Sequence, residues 1–137
     1  MKANELMIGN AVKVHGHPKC RVIGVNHGEV VTLWSETDDD EMECFERVCP
    51  IPITEEWLTK QGFKREYDCI CEYTYYIREI DGYFVEIKIG CSNMGDEYVN
   101  CHIDNCDRNS VASADIQYVH QLQNLLNIMN IKFDIKL

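Results

Sequence analysis

Apolar and polar residues alternate over short runs in the first fifty residues. Val12 and Val14 belong to one run, Val31 and Leu33 belong to another, and glycine-containing turn sequences separate them. Alternation with a period of two is typical of β-strands that bury one face. Short strands at this spacing predict an SH3-like small β-barrel or curled sheet over residues 1–52.

Helix signals follow this section. Thr54 is a favourable N-cap residue, and the two glutamates behind it complement the positive end of the helix dipole. Gly62 can adopt the left-handed conformation that ends a helix. The sequence therefore predicts a short helix over residues 54–61. It also predicts a boundary at residue 53, where an α+β subdomain, residues 53–137, begins and shares one core with the first.

Two long alternating runs meet at positions 81–82 and predict neighbouring strands of an antiparallel sheet. A two-residue loop between them would place Ile77 opposite Glu86 and mix the two faces. A three-residue loop that adds Ile80 places Ile77 opposite Val85 and brings both apolar rows onto one side. Because a one-residue slip moves a whole row to the other face, we expect the three-residue loop.

The C-terminal region shows the clearest helical pattern. Apolar residues recur at intervals of three and four from Ile116 to Met129, and Ser113 is suited to cap them. This predicts a helix over residues 114–129, and the alternation that follows predicts a final strand over residues 131–136. The fold class is therefore α+β, with an N-terminal curled sheet and a second antiparallel sheet packed by the C-terminal helix.

The polar face of this helix carries amides and an imidazole in place of full charges. Gln117, His120 and Asn124 are its candidate binding residues. Neutral polar groups cost less to desolvate than ions. Two interpretations stay open, a plain solvent-exposed face or a face that meets a protein partner or a second copy of the chain.

Charge narrows the classes of partner. The chain has 13 basic and 23 acidic residues, a formal net charge of −10, which disfavours binding to nucleic acid. Seven of the acidic residues lie between Glu36 and Glu46. They form a solvated loop, a docking patch for a basic partner or a weak divalent-cation site. The candidate binding residues in this region are Trp34, Asp38, Asp39, Asp40 and Glu41.

Aromatic residues offer an alternative function. Trp34 and Trp57, together with the tyrosines between positions 73 and 83, are candidates for a small-ligand site such as a nucleotide site. Rings are also favoured on sheets for packing alone, and we expect no basic residues beside them, so packing is the preferred interpretation. A further alternative is an acidic mimic of nucleic acid, whose carboxylates imitate phosphates.

Eight cysteines are present, but paired C-x₂-C units typical of zinc sites are absent. Cys69 and Cys71 are expected on one face of a strand, as reduced thiols that act as small hydrophobic residues. The sequence predicts no metal site and no cofactor. It also contains no P-loop, nucleophile elbow or dinucleotide fingerprint, so a non-enzymatic protein is expected.

No apolar run approaches the ~20 residues of a membrane span, and no secretory signal follows Met1. The expectation is a cytoplasmic protein that does not contact membranes.

Three segments together carry a family resemblance. They read MKANELMIGN at residues 1–10, PIPITEEWL at residues 50–58 and YVHQLQNL at residues 118–125. Their order and spacing resemble a family of small uncharacterised proteins from gut anaerobes, many of them encoded in prophage or phage regions. The resemblance implies a phage-related interaction protein and brings no activity, ligand or catalytic residue with it.

Overall fold

The computed structural model describes the backbone of residues 6–25, 31–44 and 48–136, with side chains except at positions 31 and 42–44. The chain divides into two compact units. The first contains the described residues up to Pro52 together with Tyr118–Asn124, and the second contains Ile53–Gln117 and Leu125–Lys136.

The first unit contains a five-stranded antiparallel sheet. In chain order its strands are β1 (Ala11–Val14), β2 (His17–Val25), β3 (Val31–Ser35), β4 (Asp40–Cys44) and β5 (Cys49–Pro50). Their spatial order is β4-β3-β2-β1-β5. The predicted all-β N-terminal region is confirmed. The predicted SH3-like barrel is not, because over the described residues the edge strands β4 and β5 do not pair and the sheet stays open.

Alternating side chains of β1, β2 and β3 form one apolar cluster with two residues outside the strands, Leu6 and Val48. Its buried members are Leu6, Val12, Cys20, Val22, Leu33 and Val48. Burying each such side chain stabilises the fold by about 1.5–3 kcal/mol before the entropy of ordering is subtracted. The period-two pattern of the sequence therefore identified the buried row correctly.

Helix α1 (Glu55–Lys60) opens the second unit, as predicted. The Thr54 hydroxyl accepts a hydrogen bond from the Trp57 backbone N–H at 3.2 Å, which satisfies one of the free donors of the first turn. Leu58 is fully buried. Gly62 ends the turn with φ of 82°, the left-handed conformation expected there.

A second antiparallel sheet follows this helix. Its strands are β6 (Lys64–Asp68), β7 (Tyr73–Ile80), β8 (Tyr83–Cys91), β9 (Glu97–Asp104) and β10 (Ser110–Asp115), which neighbour one another in sequence order. Each strand is joined to the next by a hairpin, so the predicted antiparallel meander is confirmed.

The register of the β7–β8 hairpin differs from the prediction. Ile80 pairs with Tyr83, and Asp81 and Gly82 form a two-residue turn with φ of 52° and 80°. Two positive φ angles are the signature of a type I′ turn, whose twist matches that of paired strands. The three-residue loop was wrong because the buried row of β7 contains Tyr76 and Ile80, at even positions.

The predicted helix over residues 114–129 begins too early. Helix α2 is Val119–Ile128, and the residues before it form β10, in which Ser113 pairs with His102. Ladder hydrogen bonds to β9 outweigh the capping preference of Ser113. The apolar stripe itself is confirmed, since Val119, Leu122 and Leu126 are all buried.

The final strand predicted over residues 131–136 is absent from the described chain. Ile131 and Ile135 are buried, which explains the apolar alternation. The Gln61 side chain satisfies the backbone of Lys136, donating to its carbonyl at 2.6 Å and accepting from its N–H at 2.9 Å. A side chain thus takes the place that a strand partner would occupy.

Candidate functional site

The two faces of the second sheet differ in burial and in chemistry. The inner face is apolar and buried, and its residues include Tyr76, Ile80, Val85, Ile87, Cys101 and Ile103. We call the opposite side the outer face; its half-buried residues include Tyr73, Tyr75, Phe84, Glu86, Lys88, Asn100, His102 and Asp104. The outer face is where the second unit exposes chemically active groups.

Glu86 lies at the centre of the outer face. The strand register places it opposite Ile77 on β7 and opposite His102 on β9. Glu86 and His102, together with Tyr73, Lys88 and Asn100, line a hollow of about 270 Å³. The Tyr73 hydroxyl donates a hydrogen bond of 3.4 Å to Glu86 Oε1.

Partial burial raises the pKa of the Glu86 carboxyl above its ordinary value, and the nearby Asp104 carboxylate adds to the rise. His102, Arg108 and the Tyr73 hydroxyl act in the opposite direction. The raised pKa means that the hydration lost by the Glu86 carboxylate is not fully compensated by its hydrogen bond and the nearby positive charges. A further cation placed in the hollow would offset that loss.

His102 and Asp104 form a pair on β9, the strand next to Glu86. His102 Nε2 lies 3.0 Å from Asp104 Oδ1, and alternate positions of β9 place both on the outer face. The Asp104 side chain is only 17% exposed. This pair adds a second acceptor group close to the hollow.

Two cations lie against aromatic rings of the outer face. Lys88 Nζ is 3.9 Å from the centroid of the Tyr73 ring, and Arg108 Cζ is 3.7 Å from that of Phe84. Both distances are within the range of cation–π attraction. The expectation that the tyrosine row has no basic neighbours was therefore wrong, because β8 and the β9–β10 loop supply them.

A second hollow continues the outer face toward its edge strand. Its volume is about 410 Å³, and Tyr75, Phe84 and Arg108 contribute to its lining. The rings of Tyr73 and Tyr75 meet with their centroids 5.7 Å apart, so one aromatic pair links the two hollows. The result is a broad, shallow surface with rings at its centre.

Carboxylates outnumber cations on this face. The strand register places six carboxylates on it, namely Glu66, Asp68, Glu79, Glu86, Asp104 and Asp115. Its cations are Lys64, Lys88 and Arg108, together with Arg78, which lines the larger hollow. The outer face is therefore suited to positively charged groups and poorly suited to phosphates.

The acidic candidates of the first unit lie in and after the turn that follows β3. Asp38 Oδ2 lies 2.5 Å from His17 Nδ1 and accepts from the Ser35 hydroxyl at 2.8 Å. These bonds, that of Ser35 foremost, hold the pKa of the Asp38 carboxyl below its ordinary value. Asp38 thus stabilises the local turn.

The other candidates around Asp38 differ in exposure. Asp39, Asp40 and Glu41 are exposed, and Trp34 is half-buried opposite Arg21 and Glu41. Their role in binding stays a prediction.

The helix candidates divide between the two units, since Gln117 lies in the second unit and His120 and Asn124 lie in the first. Gln117 is exposed, whereas His120 is only 3% exposed. Asn124 Oδ1 accepts from Asn10 Nδ2 at 2.9 Å. Neighbouring Gln123 accepts from the Ala11 N–H at 2.7 Å and donates to the Gly9 carbonyl at 3.1 Å.

For the polar helix face, a solvent-exposed face and a partner-binding face were both left open. In the structure Gln117 and Asn127 are exposed, whereas His120 and Gln123 are buried. Uncharged amides are suited to this because they match backbone donors and acceptors at low desolvation cost.

The cysteines also depart from the prediction. Of those in the described chain, Cys20 and Cys101 are buried, and burial raises the pKa of the Cys101 thiol to about 12. The other described cysteines are exposed, namely Cys49, Cys69, Cys71, Cys91 and Cys106. Cys69 and Cys71 lie in the β6–β7 turn and not on a strand face. Packing therefore accounts for two of these seven thiols.

Glu86, Lys88 and His102 were missed as candidate site residues. Their signal was present, since polar residues occupy alternate positions of β8 and β9 between buried Val85, Ile87 and Cys101. What the sequence did not reveal was the register that aligns the two polar rows.

Comparison of the chain with protein-family models, curated proteins and solved structures finds no match. Within the described residues, no helix combines the length and apolar character that crossing a bilayer requires.

Proposed function

We propose that this chain is a non-enzymatic interaction protein that binds a lysine- or arginine-containing segment of a partner protein on the outer face of its second sheet. The observation that carries the proposal is the half-buried Glu86 carboxylate, whose pKa is raised by burial in a face where carboxylates outnumber cations. A basic side chain in the hollow would restore the electrostatic stabilisation that Glu86 has lost with its water.

Charge over longer distances supports the same partner. The formal net charge of −10 attracts a basic segment and speeds its association at low ionic strength. The Tyr73 and Tyr75 rings add flat apolar area beside the carboxylates, and tyrosine is enriched at protein interfaces because it combines both properties. Because the chain resembles phage- and prophage-encoded proteins, we further propose that the partner is a host protein and that the two proteins bind each other in the cytoplasm.

The experiment is a titration with a short unstructured peptide rich in lysine and arginine, followed by NMR and calorimetry at low salt. Glu86→Gln combined with Asp104→Asn should weaken binding about tenfold, equivalent to about 1.4 kcal/mol. Amide shifts should concentrate on β7, β8 and β9.

The matched control is Asp39→Asn with Asp40→Asn, which removes the same charge from two exposed residues at the end of the β3–β4 turn and the start of β4. It should leave the affinity within about twofold of the wild type, because the peptide does not contact that turn. Equal weakening by both double variants would indicate unspecific charge attraction. Loss confined to the control would move the binding site to the acidic turn.

A second candidate function is small-ligand binding in the Glu86 hollow. Its polar lining of Tyr73, Glu86, Asn100 and His102 favours it, whereas its volume of about 270 Å³ lies just below the usual range of ligand sites. A thermal-shift screen with small cationic ligands tests it. A ligand at 100 times its dissociation constant should add about 2.7 kcal/mol to the free energy of unfolding, and Glu86→Gln should abolish that gain.

A further inference from the structure

The turn between β6 and β7, residues 69–72, presents two thiols that packing does not explain. Cys69 and Cys71 are both exposed, and Ile70 between them is 88% exposed. Exposed thiols are chemically active groups, since they bind soft metal ions and react with oxidants. Two of them in one four-residue turn form the densest thiol site in the described chain.

Asp68 fixes the shape of this turn. Its Oδ1 accepts the backbone N–H of Ile70 at 2.8 Å and that of Cys71 at 3.0 Å. Asp68 pairs with Tyr73 across the base of the turn, which anchors it to the sheet. Cys69 and Cys71 are two residues apart, so their Cα atoms are separated by no more than about 7 Å.

The Cys69 and Cys71 thiolates are two soft sulfur ligands, and this number and type of ligand favours one class of metal ion. Thiolates are soft donors that prefer Cu(I) and similar ions over Mg²⁺ or Ca²⁺. Zinc in a structural site takes four ligands, and no group of three or more described His, Cys, Asp or Glu side chains is arranged to hold an ion. Cu(I), in contrast, is stable with two thiolates in a near-linear arrangement.

We propose that Cys69 and Cys71 form a two-thiolate site for Cu(I) at the tip of the β6–β7 hairpin. On binding, each thiol releases its proton to the solvent and its sulfur donates an electron pair to copper. Copper remains Cu(I) and neither sulfur is oxidised, so the step needs no oxidant or reductant. The site is independent of the proposed binding of a basic partner segment.

The experiment is an anaerobic titration of the fully reduced protein with Cu(I) in competition with a chromogenic Cu(I) chelator. Wild type should withdraw one Cu(I) per chain from the chelator and show ultraviolet thiolate-to-copper absorption. The variant Cys69→Ser with Cys71→Ser should lose this tightest step. Because protons leave on binding, the wild-type affinity should rise with pH.

The matched control is Cys91→Ser with Cys106→Ser, which removes two exposed thiols elsewhere in the second unit, one at the end of β8 and one in the β9–β10 loop. It should keep the tightest Cu(I) step unchanged. Circular dichroism should show that both double variants keep the wild-type fold, since all four side chains are exposed. A wild type that withdraws no copper would overturn the proposal, as would equal losses in the two double variants or an unaffected turn variant.

Discussion

Glu86 makes the stability of the second unit depend on pH in an unusual direction. Its folded-state pKa is raised, so over the acidic range between its unfolded and folded pKa values the folded protein binds more protons than the unfolded chain. The contribution of Glu86 to the free energy of unfolding is therefore highest at low pH and falls as pH rises through its folded pKa. Most carboxylates with stabilising partners behave in the opposite way.

Glu86→Gln should remove this dependence. Glutamine keeps the size and the polar character of the side chain but cannot ionise, so the variant should gain stability relative to wild type as pH rises from about 4 to about 7. Urea unfolding of both proteins across this pH range measures the difference. A stability difference that stays constant with pH would contradict the assigned cause of the pKa shift.

Gly90 is required by close packing and not by its backbone angles. The Tyr98 ring lies over it, and a Cβ added at Gly90 would lie 2.6 Å from the Tyr98 hydroxyl oxygen. Gly90→Ala should therefore lower the free energy of unfolding by about 1–3 kcal/mol, as overpacking usually does. Chemical denaturation measures this loss.

A double-mutant cycle identifies the cause. In a Tyr98→Ala background the same substitution should be neutral or slightly stabilising, because alanine reduces the entropy of the unfolded chain and nothing obstructs it. An equal loss in both backgrounds would show that Tyr98 is not responsible.

At the scale of elements, the side chains of helix α2 replace a backbone partner for the first sheet. Ala11 is fully buried, and its N–H has the Gln123 side chain as its acceptor. Gln123→Ala should destabilise the protein by about 1–3 kcal/mol, because it leaves that donor buried without a partner. Thermal or urea unfolding measures the change.

Asn127 on the same helix is exposed, so Asn127→Ala is the matched control and should change stability by less than about 0.5 kcal/mol. Similar effects of the two substitutions would mean that helix propensity, and not the bond to Ala11, determines the loss.

Elements with strong local signals were predictable, and those decided by distant partners were not. The cap at Thr54 and the left-handed Gly62 specified helix α1 from nearby residues alone. The start of α2 was missed because β9 draws Ser110–Asp115 into the sheet, which no local pattern reveals. The β7–β8 register was missed because the odd-numbered row that contains Ile77 was taken as the buried row, whereas the structure buries the even-numbered Tyr76 and Ile80.

The candidate site shows the same contrast between features with a local sequence signal and features that depend on distant residues. The acidic turn was visible as a run in the sequence, whereas the outer face consists of single residues from β6 to β10 that only the register brings together. Composition alone suggested the positive charge of the proposed partner, since the excess of acid is a property of the whole chain.

At the scale of the whole molecule, the net charge of −10 opposes folding through self-repulsion. Raising the ionic strength from about 0.01 M to about 0.15 M shortens the screening length from roughly 30 Å to roughly 8 Å and should raise the melting temperature. Differential scanning calorimetry at constant pH measures the shift. A melting temperature that falls over this range would mean that attractive ion pairs outweigh the repulsion.

The bond from Ala11 to Gln123 spans 112 residues and has a consequence for biosynthesis. Translation proceeds at about 5–20 residues per second, so the ribosome makes β1 roughly ten seconds before the glutamine that completes its surroundings. During that interval the nascent N-terminal sheet has a main-chain donor with no native acceptor. Its final form is reached only after Gln123 has been synthesised and has left the ribosome, and chaperones have that long to engage it.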